Sequence, residues 1–286
     1  MRQAHLYLEH LSDQDLDLIA RVEGPRQGSR PLRARLRERP ELIEGLLASP
    51  RLFEAVLGAD PEELSPRSSL FLVFGVLVHR TARDLGQAAY IPEWSGPGRR
   101  LPVFDVASLR EFAGRGASRF FLIELLSSFV KVASGSVLVR TRRGYRRRRY
   151  SELDPVQLAD MVGLLPPAQR PGGYRRLGDV TLFLSGVFPD HTATHPPTVR
   201  QRERLAASAG VPPVTALDDG SDLRFHEIVG ANWYRQAATT ASTFVGSGAD
   251  YLLEVADQFP QARRFLNILA DRYLYRYDTG LMYPPN

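Results

Sequence analysis

Apolar positions along this chain recur mostly at helical spacing, and the polar breaks between them mark where each helix starts and stops. Ser12, followed by the acidic first turn Asp13 and Asp15, predicts a short helix through about Val22. After a Gly/Pro/Ser break at Gly24 to Pro31 come two or three short helical pieces punctuated by Pro40, Pro50 and Pro61. A stronger helix runs from about Pro66 to Leu85, and its Leu70 to Val78 stretch (LFLVFGVLV) is apolar on all sides, as at the centre of a bundle. Phe120 to Val130 (FFLIELLSSFV) is a second helix of the buried type, with Glu124, Ser127 and Ser128 on its more polar side.

The rhythm then changes. Ser134-Gly135 breaks the helix, Val137-Leu138-Val139 has strand character, and Arg143-Gly144 reads as a tight turn from which Tyr145 to Tyr150 returns as a second strand. Asp154-Pro155 caps the next helix, which ends at the Pro166, Pro167, Pro171, Gly172, Gly173 cluster. A helix from about Tyr174 to Val187 follows, then a long proline-rich connection with short helical content. Two C-terminal helices, about Asp222 to Ala241 and Ala249 to Tyr277, finish the chain, the second interrupted or restarted at Pro260. Phe265, Leu266, Ile268, Leu269 and Tyr273 recur on one face of it, which marks a core face.

The fold class expected from this pattern is mainly α, a multi-helix bundle with one short basic β-hairpin near residues 136–151. Gly86 to Pro102, with Pro92, Gly96, Pro97 and Gly98, reads as a linker, and Tyr90, Ile91 and Trp94 suggest that it packs on a surface. The expected organisation is a helical region at 1–86, a linker at 87–104, and a main helical domain at 105–286 that carries the hairpin.

Composition narrows the function classes. With 286 residues, 43% of them hydrophobic and 24% charged, the chain has the make-up of a folded globular protein. It has no cysteine, which removes disulfides, thiolate nucleophiles and cysteine-based metal sites together. The longest apolar run falls well short of the roughly 18 residues that suggest a membrane span, and the first residues show no signal-peptide core. A cytoplasmic protein without a membrane partner is expected.

Charge singles out one segment. Val137 to Tyr150 (VLVRTRRGYRRRRY) holds seven arginines and no acid, whereas the whole chain has 37 Lys+Arg against 32 Asp+Glu, a net +5. Without those seven, the rest of the chain is 5 − 7 = −2. Lys131 is the only lysine, so the codon bias of a GC-rich genome explains the choice of arginine, though not its clustering. The expected polyanion-binding residues are Arg140, Arg142, Arg143, Tyr145, Arg146, Arg147, Arg148, Arg149 and Tyr150. Guanidinium forks bind phosphate oxygens in pairs, and the tyrosines offer stacking faces. With Arg143-Gly144 as the loop, Arg140 faces Arg147, a repulsion that a bound polyanion would relieve, and the tip should project into solvent. The competing reading is a solvated basic loop, or one neutralised by a partner's carboxylates. A second basic stretch, Arg26 to Arg39, scatters its charges around a helix and reads as a solvated face.

The order of motifs FFLIELLSSF (Phe120 to Phe129), RRLGDVTLFLSGVFP (Arg175 to Pro189), NWYRQAA (Asn232 to Ala238) and the leucine-rich final helix resembles that of an uncharacterised group of helical bacterial proteins. The resemblance covers about residues 119–275, implies a helical fold, and carries no activity.

Other chemistry-bearing patterns are incomplete. His191 and His195 have the i, i+4 spacing of a helical metal pair, but Pro189, Pro196 and Pro197 flank them and argue against a regular helix there. His226-Glu227 lacks the second histidine of a zinc-protease helix, Gly230 standing in its place. Asp218 to Asp222 lacks EF-hand spacing, Gly246-Ser247-Gly248 lacks the P-loop lysine, and Ser185-Gly186 is no nucleophile elbow. No catalytic residue, metal ligand or cofactor is therefore expected. The expected function is a non-enzymatic regulatory or interaction protein contacting DNA or RNA through the hairpin. The alternative is a helical adaptor for an acidic protein, and a metal-dependent enzyme using His191, His195, His226 or Asp218 to Asp222 ranks last.

Overall fold

Ser12 caps the helix that follows it, and the cap is reciprocal. In the computed structural model the Ser12 hydroxyl accepts from the Asp15 amide, while the Asp15 carboxylate accepts from the Ser12 amide at 2.8 Å. The structure describes residues 2–24, 29–58, 68–129, 134–141, 144–151, 153–212, 222–242 and 249–275. These divide into two compact units, one formed by Met1–Glu93, Pro102–Val130 and Ile268–Tyr283, the other by Trp94–Leu101, Lys131–Asn267 and Pro284–Asn286.

The first unit contains α1 (Arg2–His10), α2 (Asp13–Glu23), α3 (Ser29–Glu38), α4 (Leu42–Leu47), α5 (Pro50–Leu57), α6 (Leu70–Gln87), α7 (Ala107–Gly114) and α8 (Gly116–Phe129). Helix α6 is its hub, packed by α4, α5, α7 and α8, and every residue from Phe71 to His79 is buried. The uninterrupted apolar run predicted this position, because a helix surrounded on all sides has no polar face to offer. Asp15 ties α2 to the hub: fully buried, it accepts from the Ser69 amide at 2.7 Å, and Ser69 in turn caps α6.

The second unit is built on α10 (Arg170–Val187) and α13 (Asp222–Ser242), which pack along each other. Around them lie α9 (Pro155–Leu164), α11 (Pro189–Thr194), α12 (Val199–Ala209) and α14 (Ala249–Asp257). Helix α15 (Phe259–Leu269) passes into a π-turn at Ala270–Leu274. Glycine permits the close approach of α10 and α13, since a Cβ on Gly178 would stand 2.6 Å from the Tyr234 ring. Buried across the same contact, the Tyr234 hydroxyl donates to Asp179 at 2.9 Å.

The mainly helical class and the basic hairpin are both present, with three differences from expectation. First, the stretch read as a linker forms a two-stranded ribbon, β1 (Ile91–Gly96) and β2 (Arg99–Val103), whose turn is supplied by Gly96 and Gly98 at positive φ. Second, Pro171, Gly172 and Gly173 lie inside the first turn of α10, where a proline costs no hydrogen bond. Third, a short helix does form at His191, for the same reason: Pro189 is its first residue. Helix α12 was hidden in the proline-rich connection, although Thr198 and Gln201 make a capping box at its start and Gly210 ends it in the left-handed conformation. Among the described residues, no helix is long and apolar enough to cross a membrane.

Candidate functional site

The arginine-rich hairpin comprises β3 (Ser134–Thr141) and β4 (Gly144–Ser151), an antiparallel pair. Its register corrects the expected one. Thr141 pairs with Gly144, so Gly144 belongs to the returning strand and not to the turn. Arg140 is then paired with Tyr145, Leu138 with Arg147, and Val139, Val137 and Ser136 with Arg146, Arg148 and Arg149. No two arginines of these paired strands are directly opposed. This register avoids the Arg140–Arg147 opposition that the alternative alignment would create, a physical reason for the chain to prefer it. Tyr150 pairs with Gly135, near the base. Below it Ser151 connects to α9: its amide donates to the Gln157 side chain at 3.3 Å, and its carbonyl accepts from the Asp154 amide at 3.1 Å. Asp154 caps α9 as the Asp-Pro pair predicts, accepting from the Val156 and Gln157 amides. Arg142 and Arg143 lie outside the described residues, as do the Asp218 to Ser221 part of the acidic loop and Gly246 to Gly248.

Two arginines of the second basic stretch are paired within the first unit. On α3, Arg33 pairs with Asp13 at 3.0 Å and Asp17 at 2.7 Å, and Arg37 pairs with Asp13 at 2.6 Å. Asp13 and Asp17 of α2 thus balance these two arginines, and Asp13 is held below its ordinary carboxylate pKa first by the Arg37 hydrogen bond.

The candidate histidines make contacts within their own unit. His191 and His195 stack, ring centroids 4.4 Å apart, and His195 Nδ1 lies 3.1 Å from the His191 carbonyl. Partial burial, then the neighbouring His195, lowers the pKa of His191, which disfavours a charged pair. Asp190 beside them accepts from Trp94 Nε1 at 2.5 Å and from the Gly98 amide at 3.3 Å, fastening the β1–β2 turn. His226 is buried with Nδ1 2.6 Å from the Asp222 carbonyl, so that nitrogen carries the proton. Gly230, where a zinc-protease helix needs histidine, leaves room for the Phe259 ring. Ser185 is buried and donates to the Thr181 carbonyl at 2.7 Å. Among the described residues no group of three or more His, Asp or Glu is placed to hold a metal ion.

One site escaped the sequence reading. In the first unit a cavity of about 470 Å³ is lined by Glu44, Gly45 and Ala48 from α4 and its end, by His79, Ala82, Arg83 and Gly86 from α6, by Arg110, Ala113 and Gly114 from α7, and by Arg119. Its three arginines are braced on backbone oxygens. Arg110 donates to the Leu85 and Ala88 carbonyls at 3.0 and 2.5 Å, at the C-terminal end of α6. Arg119 donates to the Ala113 and Gly114 carbonyls at 2.8 and 2.9 Å and to Glu44 at 2.8 Å. Arg83 reaches the Ala48 carbonyl at 3.3 Å. His79, buried, shares a 3.2 Å hydrogen bond with the buried Tyr7 hydroxyl. Burial chiefly, with Arg119 adding, pushes the His79 pKa down to about 3, and burial pushes the Tyr7 hydroxyl well up. Both groups are therefore neutral near pH 7. No local spacing announces this cavity, because its charged residues come from four separate segments between Glu44 and Arg119.

Comparison with family models, curated proteins and solved structures finds no match to this chain.

Proposed function

We propose that this protein is a non-enzymatic regulatory or interaction protein that binds DNA or RNA through the β3–β4 hairpin. The observation that carries the reading is the concentration of seven arginines and no acid in Val137 to Tyr150, five of them (Arg140 and Arg146 to Arg149) in two paired strands. Successive residues of a strand alternate between its two faces, so a run of four consecutive arginines, Arg146 to Arg149, is not confined to one. A ribbon charged on both faces suits a groove or a wrapped single strand better than a flat protein surface. The arginines would bind phosphates and Tyr145 and Tyr150 would stack on bases, giving affinity with little base specificity.

The pairing of Arg33 and Arg37 with their own carboxylates supports giving this role to the hairpin and not to the other basic stretch. The test is a titration of labelled duplex DNA and single-stranded RNA across salt concentrations, with the wild type and a variant carrying alanine at Arg146, Arg147, Arg148 and Arg149. Affinity should fall steeply with salt. For duplex DNA the slope should shallow in the variant by about 0.9 for each phosphate no longer neutralised. Equal affinity of the two proteins at low salt would overturn the proposal. A stoichiometric acidic protein recovered with the hairpin from nuclease-treated lysate would replace nucleic acid with an acidic partner.

A further inference from the structure

We propose that the cavity between α4, α6, α7 and the start of α8 binds a small phosphomonoester, with its phosphate held by Arg83, Arg110 and Arg119 and its uncharged body against the glycine and alanine wall. Charge is the first argument. Three guanidiniums face one carboxylate, Glu44, which leaves the lining at 3 − 1 = +2. His79 adds no charge near neutral pH, being neutral there. A phosphomonoester carries about −1.5 to −2 at pH 7, which matches the lining, whereas a single carboxylate would neutralise half of it.

Unspent donors are the second argument. A guanidinium has five N–H donors. Arg110 spends Nε and one terminal nitrogen on Leu85 and Ala88, and Arg83 makes one long bond to Ala48. Arg119 has both terminal nitrogens engaged, yet its Nε is buried with no hydrogen-bond partner among the described residues. A buried donor left unpaired costs free energy that a ligand oxygen would recover. The bracing matters as well, because side chains already fixed on backbone carbonyls lose less freedom when an anion arrives.

Room is the third argument. The volume, about 470 Å³, lies within the range of small-molecule sites and exceeds what a bare phosphate fills. A Cβ built on Gly45, Gly86 or Gly114 meets nothing within 4 Å, so three wall positions open onto empty space. Ala48, Ala82 and Ala113 complete a wall of small side chains with nothing to hydrogen-bond, suited to an uncharged body.

The experiment is a calorimetric titration of the full chain at pH 7.5 and constant low ionic strength, using glycerol 3-phosphate, inorganic phosphate and glycerol as probes. Glycerol 3-phosphate should bind one per chain and more tightly than inorganic phosphate, and glycerol should not bind. Arg83 and Arg110 are exposed at the mouth, so Arg83→Met and Arg110→Met should each fold normally and weaken phosphate binding about tenfold. Gly45→Leu should fill the wall, weakening glycerol 3-phosphate while sparing inorganic phosphate. The four-alanine hairpin variant should bind both probes as the wild type does, which separates this site from the hairpin. No heat with either anion, binding that survives both arginine replacements, or binding abolished in the hairpin variant would each overturn the site. Equal affinity for the two anions, unchanged by Gly45→Leu, would overturn its assignment to a monoester.

Discussion

His79 and His226 are buried as neutral imidazoles, and both have lowered pKa values with burial as the largest cause. This makes them acid-sensitive elements of the fold. His79 titrates near 3 in the native protein and near its ordinary 6.5 in the unfolded chain. Above 6.5 both states are neutral and the group has no effect on stability. Below it the unfolded chain gains a proton that the native protein refuses, so stability falls with falling pH by about 1.4 kcal/mol per unit on account of His79. The loss continues until the native pKa is reached. His226 acts in the same direction. Urea denaturation between pH 6.5 and 5, above the main carboxylate range, should show this decline. In His79→Gln the slope should be shallower by up to one proton, about 1.4 kcal/mol per pH unit. An unchanged slope would mean that His79 is protonated in the native state. None of this was readable from the chain, where His79 follows an apolar run and has no partner nearby. Tyr7, which shares its hydrogen bond, is 72 residues away.

Among the elements, the α2 start shows how far local chemistry carries and where it stops. The Ser12, Asp13, Asp15 pattern predicts a capped helix, and the capping box is there. Its second duty is long-range: the Asp15 carboxylate also accepts from the Ser69 amide at the start of α6, across 54 residues. One side chain therefore satisfies amides at the beginnings of two helices. Asp15→Ala should cost more than an ordinary cap, which is worth about 1 kcal/mol, because amides at the starts of two helices lose their shared, buried partner. We expect about 2–3 kcal/mol from a urea titration, against about 1 kcal/mol for Ser12→Ala. Similar costs for the two would place the value of Asp15 in the cap alone. The hairpin teaches the complementary lesson. Its strands were legible from Val137-Leu138-Val139 and the return at Tyr145, while its register was set by which residues oppose which, and charge repulsion favours the alignment that keeps arginines apart. Gly86 to Pro102 misled because proline and glycine serve turns as readily as linkers. The ribbon's anchor, Asp190 on Trp94, lies 96 residues away.

At the scale of the whole molecule, the two units are interleaved in sequence, and the N-terminal one takes up residues from the end of the chain. Ile268–Tyr283 belongs to the unit that begins at Met1. Periodicity along a sequence marks helices but carries no record of which distant helix each one joins, so the buried face of the last helix was legible and its destination was not. Tyr273 is the point of attachment. Its ring stands edge-on to Phe53 at 5.5 Å, and its hydroxyl donates to Asp84 at 2.5 Å. Arg272 reaches the same carboxylate at 3.3 Å. The first unit is therefore incomplete until the residues from Ile268 on have been made, which puts its final consolidation after synthesis of Lys131–Asn267. Tyr273→Ala should destabilise the protein by about 3–5 kcal/mol, the usual cost of removing a large buried aromatic ring. Tyr273→Phe keeps the ring and gives up the hydroxyl's bond to Asp84, so it should cost about 1 kcal/mol or somewhat more. A chain ending at Asn267 should lose at least as much as Tyr273→Ala. If denaturant titration instead gave the truncated chain wild-type stability, the first unit would be complete without its C-terminal residues, and the interleaving would have no energetic weight.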